Sequence, residues 1–529
     1  MRLHRLVVTV ATALTLAAIA AAQGAPDSKQ PLPRTADGKP NFQGIWQASS
    51  TAAADLQDHP ASLNMLAGRS VLVGGGEIPY QPWAAAKKAE NFKNRATADP
   101  LNKCFMPGVP RAMYLDFPFQ IFQTPKTVAI AFEWSTDYRL IYTDNSPPFP
   151  DLDFWMGDSR GHWEGDTLVV NVTNHNEKTW LDMAGDFHSG ALKVVERYRM
   201  TDPDTIQYEA TIEDPKVFTK AWTISLPLKR RADRDRLYEY ICQDEVEEAN
   251  GAFTRETRTW YPGNGTPPPA MTVAASVAPA TPAPAGANIP RTADGKPDLN
   301  GLYQSNAGGA NQGLERAGGG GRAGGGGGRG GGRGGVVQDL ADGLLPLQPW
   351  ARAEKDSRQL TERGYDDPTA HCFPAGVPRS FWVPSAFHIV QTSDYVVFLH
   401  ERVAWRIVSL KARPHLPDNM RLWQGDSVGH WEGDTLVVDN TNFNGKTWLN
   451  EGGDIVSYAE HVVERFTPTS PDNINYEAVI TDPVVYTRPW TVAFPIRRQK
   501  GDLIESACHE EDEDLPHLKA LKDAAAKKK

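Results

Sequence analysis

The feature that most constrains the fold of this chain is an internal repeat. Residues 33–40 read PRTADGKP, and the same eight letters recur at residues 290–297. The longest shared block, residues 157–181 and 425–449, differs at only five of 25 positions and contains GHWEGDTLVV in both places. Because self-similarity of this kind marks duplicated folding units, the sequence predicts two domains of the same fold.

Composition sets the boundaries of the two copies. Copy one is predicted at residues 31–260 and copy two at residues 289–515. Residues 261–288 between them are rich in Pro and Ala and predict an extended linker, since such a composition buries too little apolar surface to fold. Residues 308–335 of copy two hold a Gly/Arg tract that copy one does without, and they predict a disordered insertion. Residues 516–529 predict a charged tail.

The beginning of the chain has the pattern of a secretory signal peptide. Basic residues Arg2 and Arg5 precede an apolar run that reaches a small-residue cleavage site at Ala20, Ala21 and Ala22. The run is short for a membrane helix, which needs about 20 apolar residues, and no later stretch approaches that length. We therefore expect residues 1–22 to be removed, no membrane span after cleavage, and a periplasmic or secreted protein.

Hydrophobic periodicity predicts β structure in each copy. Apolar and polar residues alternate at residues 168–172 and 206–212, and similar runs, including residues 237–242, give about eight to ten strands per copy. That number of strands requires a closed surface, so the prediction is mainly β, with two tandem antiparallel β-sandwich or β-barrel domains. One short helix per copy is predicted at residues 83–95 and 350–363, each directly after a proline.

The chain has four cysteines, one pair at equivalent places in each copy. We predict the disulfides Cys104–Cys242 and Cys372–Cys508, because an even count in an exported protein favours bridges. A metal site built on these cysteines would need CxxC or Cys/His clustering, which is missing here. The sequence therefore assigns no metal and no cofactor.

Three motifs carry a family resemblance. They are RTADGKP followed by a Gly-x-Trp/Tyr element, then CFMPGVPR or CFPAGVPR, then GDSxGHWEGDTLVV. In these motifs the chain resembles a family of uncharacterised secreted bacterial proteins, and the resemblance covers nearly all of both copies. It implies export, a β-rich domain and a bacterial source, and it transfers no catalytic residue.

The charge balance argues against nucleic acid as a partner. The chain has 65 acidic and 55 basic residues and a net charge of -10, so no basic stripe is available to neutralise phosphates. The Gly/Arg tract is therefore predicted to be a surface loop.

A Gly-x-Ser-x-Gly pattern occurs at residues 157–161 and again at 425–429. A nucleophile elbow needs a strand before the serine and a helix after it. Here a turn is predicted, followed by a strand, so we expect Asp158 and Ser159 to hydrogen-bond backbone donors of a turn.

Carboxylates beside tryptophan form the second candidate site. The candidates are Asp158, Glu164 and Asp166 in copy one and Asp426, Glu432 and Asp434 in copy two. Paired acids beside an aromatic ring suit glycoside hydrolysis. The alternative is a tight hairpin in which WEGDT forms the turn.

Glu196 and Glu464 have the strand parity of apolar neighbours and are predicted to point inward. Each is expected to line a ligand cavity or to form an ion pair, for which Arg111 and Arg139 are candidate partners of Glu196. Glu133 and Arg139 are expected to form a separate cross-strand pair.

Two functions are compatible with these residues. The first is binding of a small molecule or glycan by Trp163, Asn174, Asn176, Trp180 and Glu196, and by their counterparts Trp431, Asn442, Asn444, Trp448 and Glu464. In that case His175 is expected to titrate near neutral pH beside the ligand. The alternative is a secreted glycosidase-like hydrolase that uses the acidic cluster. The sequence leaves open the oligomeric state and whether the two copies pack together.

Overall fold

Each copy folds into a closed nine-stranded β-barrel. The computed structural model describes residues 31–62, 65–243, 288–315, 335–340, 342–402, 404–508 and 514–527. The predicted signal peptide, nearly all of the linker and the centre of the Gly/Arg tract lie outside the described residues. The two tandem mainly β domains are confirmed, and both are barrels rather than sandwiches.

The nine strands of barrel one follow the order of the chain. They are β1 (Gly44–Ala48), β2 (Phe119–Gln123), β3 (Thr127–Phe132), β4 (Tyr138–Tyr142), β5 (Asp158–Glu164), β6 (Thr167–Thr173), β7 (Lys193–Asp202), β8 (Thr205–Glu213) and β9 (Trp222–Arg230). Barrel two repeats them as β10 (Gly301–Ser305), β11 (Phe387–Gln391), β12 (Tyr395–His400), β13 (Ala404–Ser409), β14 (Asp426–Glu432), β15 (Thr435–Thr441), β16 (His461–Ser470), β17 (Asn473–Thr481) and β18 (Trp490–Arg498).

Neighbouring strands pair antiparallel. Strand β1 closes barrel one against β9, and β10 closes barrel two against β18. The exceptions are β4 with β5 and β13 with β14, which pair in parallel. A parallel pair requires the chain to cross from one end of the barrel to the other. The long connection before each GDS motif makes that crossing, which the sequence did not reveal.

Alternation along the strands fills the barrel interior. On β8, Ile206, Tyr208, Ala210 and Ile212 are fully buried, as their period of two predicts. The intervening residues of β8 are only partly buried. Side chains therefore pack the interior, as in other small barrels.

Two predicted elements are different in the structure. Residues 158–164 form strand β5 rather than a turn, and the turn lies at Gly165, whose φ of +59° suits glycine. Residues 237–242 form no strand, and their one ladder contact is an isolated bridge between Trp134 and Tyr240. The alternating pattern of that segment reflects packing between the barrels, which a single sequence cannot distinguish from a strand.

The helices are α1 (Pro82–Ala98), α2 (Pro349–Arg358) and α3 (Asp514–Ala526). Helix α2 ends before the predicted boundary, and a 3₁₀ turn, Thr361–Asp366, follows it. Helix α3 lies in the predicted charged tail, where Lys522 contacts Asp366 at 3.0 Å. Among the described residues, no helix is long and apolar enough to cross a membrane.

The predicted insertion begins later than residue 308. Gly308–Asn311 form a 3₁₀ turn, and Ala310 and Leu314 are buried in the core of barrel two. These residues correspond to the ordered segment that follows β1 in copy one. The sequence boundary was wrong because glycines before the Gly/Arg tract belong to the fold.

Both predicted disulfides are present, Cys104–Cys242 and Cys372–Cys508. Cys104 follows a short 3₁₀ turn and adopts a left-handed backbone conformation, with φ of 60°. The bridges therefore connect loops around the barrels.

The two barrels pack against each other around a pseudo-two-fold axis. The Tyr138 hydroxyl donates to the backbone carbonyl of His400 at 2.8 Å, and the equivalent Trp405 indole N–H donates to the carbonyl of Phe132 at 2.7 Å. An apolar cluster from both copies surrounds these bonds, including Ile45 and its counterpart Leu302. This shared apolar cluster thus joins the barrels, and each barrel also has a core of its own.

A glutamate from each copy also binds backbone N–H groups of the other copy. Glu239 of copy one accepts hydrogen bonds from the backbone N–H groups of Trp423 at 2.6 Å and Gln424 at 3.0 Å. Its equivalent Glu505 accepts from the N–H groups of Trp155 and Met156 at 2.6 and 3.0 Å. Each copy therefore fixes the loop that precedes the GDS motif of the other.

Candidate functional site

Glu196 lies inside barrel one, as its strand parity predicts, and is fully buried. It forms a two-point ion pair with Arg139 and accepts hydrogen bonds from the hydroxyls of Tyr198 and Tyr208 at 2.9 and 2.8 Å. Although burial by itself lowers the pKa of Arg139, the Glu196 carboxylate raises it above its usual value. The charges compensate each other in the core, so of the two alternatives the structure favours the ion pair.

The same network recurs in barrel two. Glu464 pairs with Arg406 at both oxygens and accepts from the Tyr476 hydroxyl at 2.8 Å and from the Asn440 amide at 2.8 Å. Asn440 takes the place of an apolar residue of copy one, Val172.

The expected pair of Glu133 with Arg139 is wrong. Glu133 is bound by Arg234 at 2.5 Å, and Arg111 binds Asp99 instead of Glu196. An arginine pairs with the acidic side chains that lie near it in the folded barrel. Separation along the sequence does not predict which residues these are.

Ser159 is not an exposed nucleophile. It is buried on β5, and its hydroxyl accepts a hydrogen bond from Arg139 Nε at 2.9 Å. Asp158 accepts from the backbone N–H of Phe149 at 2.6 Å and pairs with Arg160 at 2.6 Å. Asp158 thus binds a backbone donor of the preceding loop and not of a turn at the GDS motif, whereas Ser159 orients the buried arginine.

The acidic candidates lie apart. Asp158 is at one end of β5, whereas Glu164 and Asp166 are at the other, about 20 Å away for a strand of this length. Glu164 pairs with Arg197 at 2.6 Å, and Asp166 pairs with Arg34 at 2.7 Å.

Copy two has the same arrangement. Asp426 is bound by Arg413, while Glu432 is bound by Arg465 and Asp434 by Arg291. Two carboxyl groups of a glycosidase stand about 5 to 10 Å apart. The structure therefore does not bring Asp158 or Asp426 together with the other two acids of its copy.

The asparagines of the predicted ligand wall hold loops. Asn174 adopts φ of 59°, and its amide donates to the carbonyls of Phe149 and Leu152 at 2.9 and 2.8 Å. Asn442 does the same in copy two. Asn176 and Asn444 accept from backbone N–H groups two residues further on.

The tryptophans of this set are covered. Trp163 stacks on Phe42 with ring centroids 5.5 Å apart, and Trp431 lies under the Lys296 ammonium group. Trp180 and Trp448 are buried. These residues do not line the cavity described below.

His175 is fully buried, and burial lowers its pKa well below the usual value. The expectation that His175 titrates near neutral pH is therefore wrong. Its ring packs edge-on to His188, 5.8 Å away.

A cavity of about 60 Å³ lies in copy two beside the Cys372–Cys508 bridge. We call it the copy-two cavity, and its lining includes the buried polar residues Ser380, His400 and Gln424. Their exposed fractions are only 6%, 5% and 2%. Ser380 Oγ, His400 Nε2 and Gln424 Oε1 have no hydrogen-bond partner among the described residues.

Copy one has apolar residues at the three equivalent positions. Ala112, Phe132 and Met156 stand at the positions of Ser380, His400 and Gln424. All three belong to the hydrophobic core of barrel one. The barrel therefore does not need polar side chains at these places.

An unpartnered buried polar group costs about 1 to 3 kcal/mol. Three such groups in one cavity of copy two, with apolar counterparts in copy one, make it the candidate ligand site, because a bound polar molecule or ordered water would satisfy them. The sequence reasoning missed these residues. A position-by-position comparison of the two copies outside the GDS block would have identified them as polar residues that replace apolar ones.

The three unpartnered side chains of the copy-two cavity are uncharged, although Arg379, Arg402 and Glu451 also line it. Burial, together with nearby Arg406, lowers the pKa of His400 to about 3, so its imidazole is uncharged. Gln424 is positioned through its backbone by Glu239 of copy one. The exposed Arg402 also lines the cavity.

A second cavity of about 50 Å³ shares Arg402 and the Cys372–Cys508 bridge with the first and reaches Asp137 of copy one. Burial raises the pKa of Asp137 well above its usual value, which favours a neutral carboxyl group there. Both copies thus contribute residues around the bridge.

One group of carboxylates among the described residues is close enough to hold a metal ion, Asp55 with Asp182 and Asp186. It lies in copy one. A comparison with known protein families and with curated proteins finds no match for this chain. The family resemblance therefore stays an expectation from the motifs.

Proposed function

We propose that this chain is an exported binding protein whose copy-two cavity takes a small uncharged polar molecule, or the polar end of a larger one such as a sugar. The observation that carries the proposal is the group of three unpartnered buried atoms on Ser380, His400 and Gln424. Their apolar counterparts in copy one argue that they serve a ligand rather than the fold.

The side chains favour an uncharged ligand. A serine hydroxyl donates and accepts, a neutral imidazole does one of each, and an amide offers an acceptor and donors. None of them carries a charge to balance an ion. Phe373, stacked on Trp423 with ring centroids 4.6 Å apart, adds an apolar wall, as is common in small-molecule sites.

Export is supported by the signal-peptide pattern of the first residues together with the two disulfides, since bridges persist in oxidising compartments. A periplasmic or secreted location follows from the proposal. The hydrolase alternative is less well supported, because Asp158 lies about 20 Å along β5 from Glu164 and cannot act together with it.

The test gives copy two the residues of copy one. The full-length triple variant Ser380→Ala, His400→Phe, Gln424→Met loses three unpartnered polar groups, so its melting temperature is expected to equal or exceed that of the wild type. Small molecules extracted from purified wild-type protein and identified by mass spectrometry are expected to be absent from the variant. Shifts of melting temperature by glycerol, glucose or N-acetylglucosamine are expected to be lost.

The reciprocal triple variant, Ala112→Ser, Phe132→His, Met156→Gln, is the matched control. It places polar groups in a filled core and is expected to lower the melting temperature. A copy-two variant that is clearly less stable than the wild type in ligand-free buffer, or that keeps a bound molecule, contradicts the proposal, since the trio is then structural.

A further inference from the structure

Three carboxylates of copy one converge beneath helix α1. One oxygen each from Asp55, Asp182 and Asp186 lies within 4.8 Å of the others. Asp182 and Asp186 are fully buried, and Asp55 is partly buried. We call this group the carboxylate triad.

Hydrogen bonds fix the triad but leave it incomplete. Asp182 accepts from the N–H groups of Leu56 and Asp186 at 3.0 and 3.1 Å, and Asp186 Oδ1 accepts from the Tyr80 hydroxyl at 2.7 Å. The second oxygen of Asp186, Oδ2, is buried and has no partner among the described residues. A fully buried acceptor is thus left unsatisfied within the triad.

Positive charge near the triad is sparse. In the described part of the chain, its one ion-pair contact joins Lys88 Nζ to Asp186 Oδ1 at 3.9 Å. If all three carboxylates are ionised, the group has a formal charge of -2 after Lys88 is counted. Burying uncompensated charge is costly, so such a group takes up either protons or a cation.

At the equivalent position of copy two, the protein's own basic side chains neutralise the carboxylates. Lys355, the counterpart of Lys88, lies 2.5 Å from Asp454 and 2.9 Å from Glu315. Arg352 contacts Glu315 at 2.8 Å. Asp454 is the counterpart of Asp186, so the same carboxylate position binds a cation in the repeat.

The two copies differ in a consistent way around this point. Copy one has Asp182 where copy two has Asn450, and Ala85 where copy two has Arg352. Both changes make the site of copy one more negative by one charge. Copy two is neutral, with Glu315 and Asp454 against Lys355 and Arg352.

We propose that the carboxylate triad of copy one binds a divalent metal cation of the Ca²⁺ type. Ca²⁺ takes oxygen ligands at about 2.3 to 2.6 Å, so opposed ligand oxygens lie about 5 Å apart, which the triad satisfies. A charge of +2 balances the formal charge of the site. Asp186 Oδ2 gains the partner that it otherwise lacks.

Protonation is the competing explanation. Burial and the neighbouring carboxylate of Asp186 raise the pKa of Asp182 well above its usual value, and burial raises the pKa of Asp55. A proton shared among the acids relieves repulsion without a metal. Titration with metal ions at fixed pH separates the two cases.

The test uses full-length protein stripped with EDTA and titrated by calorimetry at pH 7.5 with CaCl₂, MgCl₂, MnCl₂ or ZnCl₂. One equivalent of a divalent ion is expected to bind and to raise the melting temperature, because a ligand of the native state stabilises it. Asp182→Asn, the copy-two residue, is expected to weaken binding at least about tenfold, which corresponds to about 1.4 kcal/mol. Failure of all four ions to bind the wild type overturns the proposal.

Asn450→Asp is the matched control in copy two. It adds the same carboxylate where Lys355 and Arg352 already supply charge, so it is expected to create no second metal site. Should Asp182→Asn fail to fold, Ala85→Arg decides, since residue 85 is exposed on α1 and an arginine there brings a competing cation. Metal affinity unchanged in the folded variants contradicts the assignment.

Discussion

The buried glutamates offer a paired test of how each barrel stabilises an internal charge. In barrel one, the Oε1 atom of Glu196 accepts from Arg139, Tyr198 and Tyr208. In barrel two, the Oε1 atom of Glu464 accepts only from Arg406 and Tyr476 among the described residues. Phe466 occupies the position of Tyr198 and has no hydroxyl to offer. The Asn440 amide donates to the other oxygen of Glu464, Oε2, and does not replace a donor at Oε1. Removal of the tyrosine hydroxyl therefore leaves Oε1 with Arg406 alone in barrel two and should be more harmful there.

The perturbation is Tyr476→Phe, with Tyr208→Phe as its counterpart. Both hydroxyls donate at 2.8 Å, and both rings are fully buried. A hydrogen bond to a charged group is worth about 1.5 to 3 kcal/mol. We expect Tyr476→Phe to lower the free energy of unfolding by an amount near the top of that range, and Tyr208→Phe by about 1 kcal/mol less, because Tyr198 still donates to Glu196.

The assay is urea unfolding of the full-length variants, with the shift in midpoint multiplied by the denaturant slope. Tyr198→Phe is the control within barrel one and is expected to resemble Tyr208→Phe. A loss in Tyr208→Phe equal to or larger than that in Tyr476→Phe refutes the reasoning that the number of donors to Oε1 sets the stability of the buried carboxylate.

Three further predictions concern the interface and the bridges. Burial raises the pKa of Glu505 from 4.5 to about 7, so its stabilising contribution is present below pH 4.5 and is lost as the pH rises through 7. The melting temperature of the wild type should therefore fall relative to Glu505→Gln between pH 5 and 8, and parallel pH profiles would count against this. Replacing Cys104 and Cys242 by alanine opens a loop of 138 residues and should cost at most about 5 kcal/mol, visible as a lower urea midpoint than in the oxidised protein. Trp405→Phe removes the indole donor to the Phe132 carbonyl and should cost about 1 kcal/mol in the same assay, whereas an unchanged midpoint would show that this bond contributes nothing.

The sequence by itself determined the elements that depend on local pattern. The repeat gave two domains of one fold, and the alternation at Ile206, Tyr208, Ala210 and Ile212 gave a buried strand with the correct inward face. Paired cysteines at equivalent places gave both disulfides. The inward direction of Glu196 also followed from parity, because side chains on a strand alternate strictly between faces.

Only the tertiary structure decided which distant groups meet. Arg139 binds Glu196 and not Glu133 because the side chains of Arg139, on β4, and Glu196, on β7, both point into the barrel interior. Residues 237–242 resemble a strand, yet they pack between barrels, where an apolar face is covered by the other copy. Alternation of apolar and polar residues indicates that one face of a segment is buried, but it does not identify the surface against which that face packs.

The residues of the candidate sites could not be grouped from the sequence for the same reason, because local pattern does not identify tertiary contacts. Ser380, His400 and Gln424 come from three separate segments, and nothing in their local sequence indicates that they share one cavity. Asp55 likewise meets Asp182 and Asp186 only because the loop after β6 folds under α1. Local pattern fixes which side of a strand a residue takes, whereas closure of the barrel and docking of its partner fix what that residue touches.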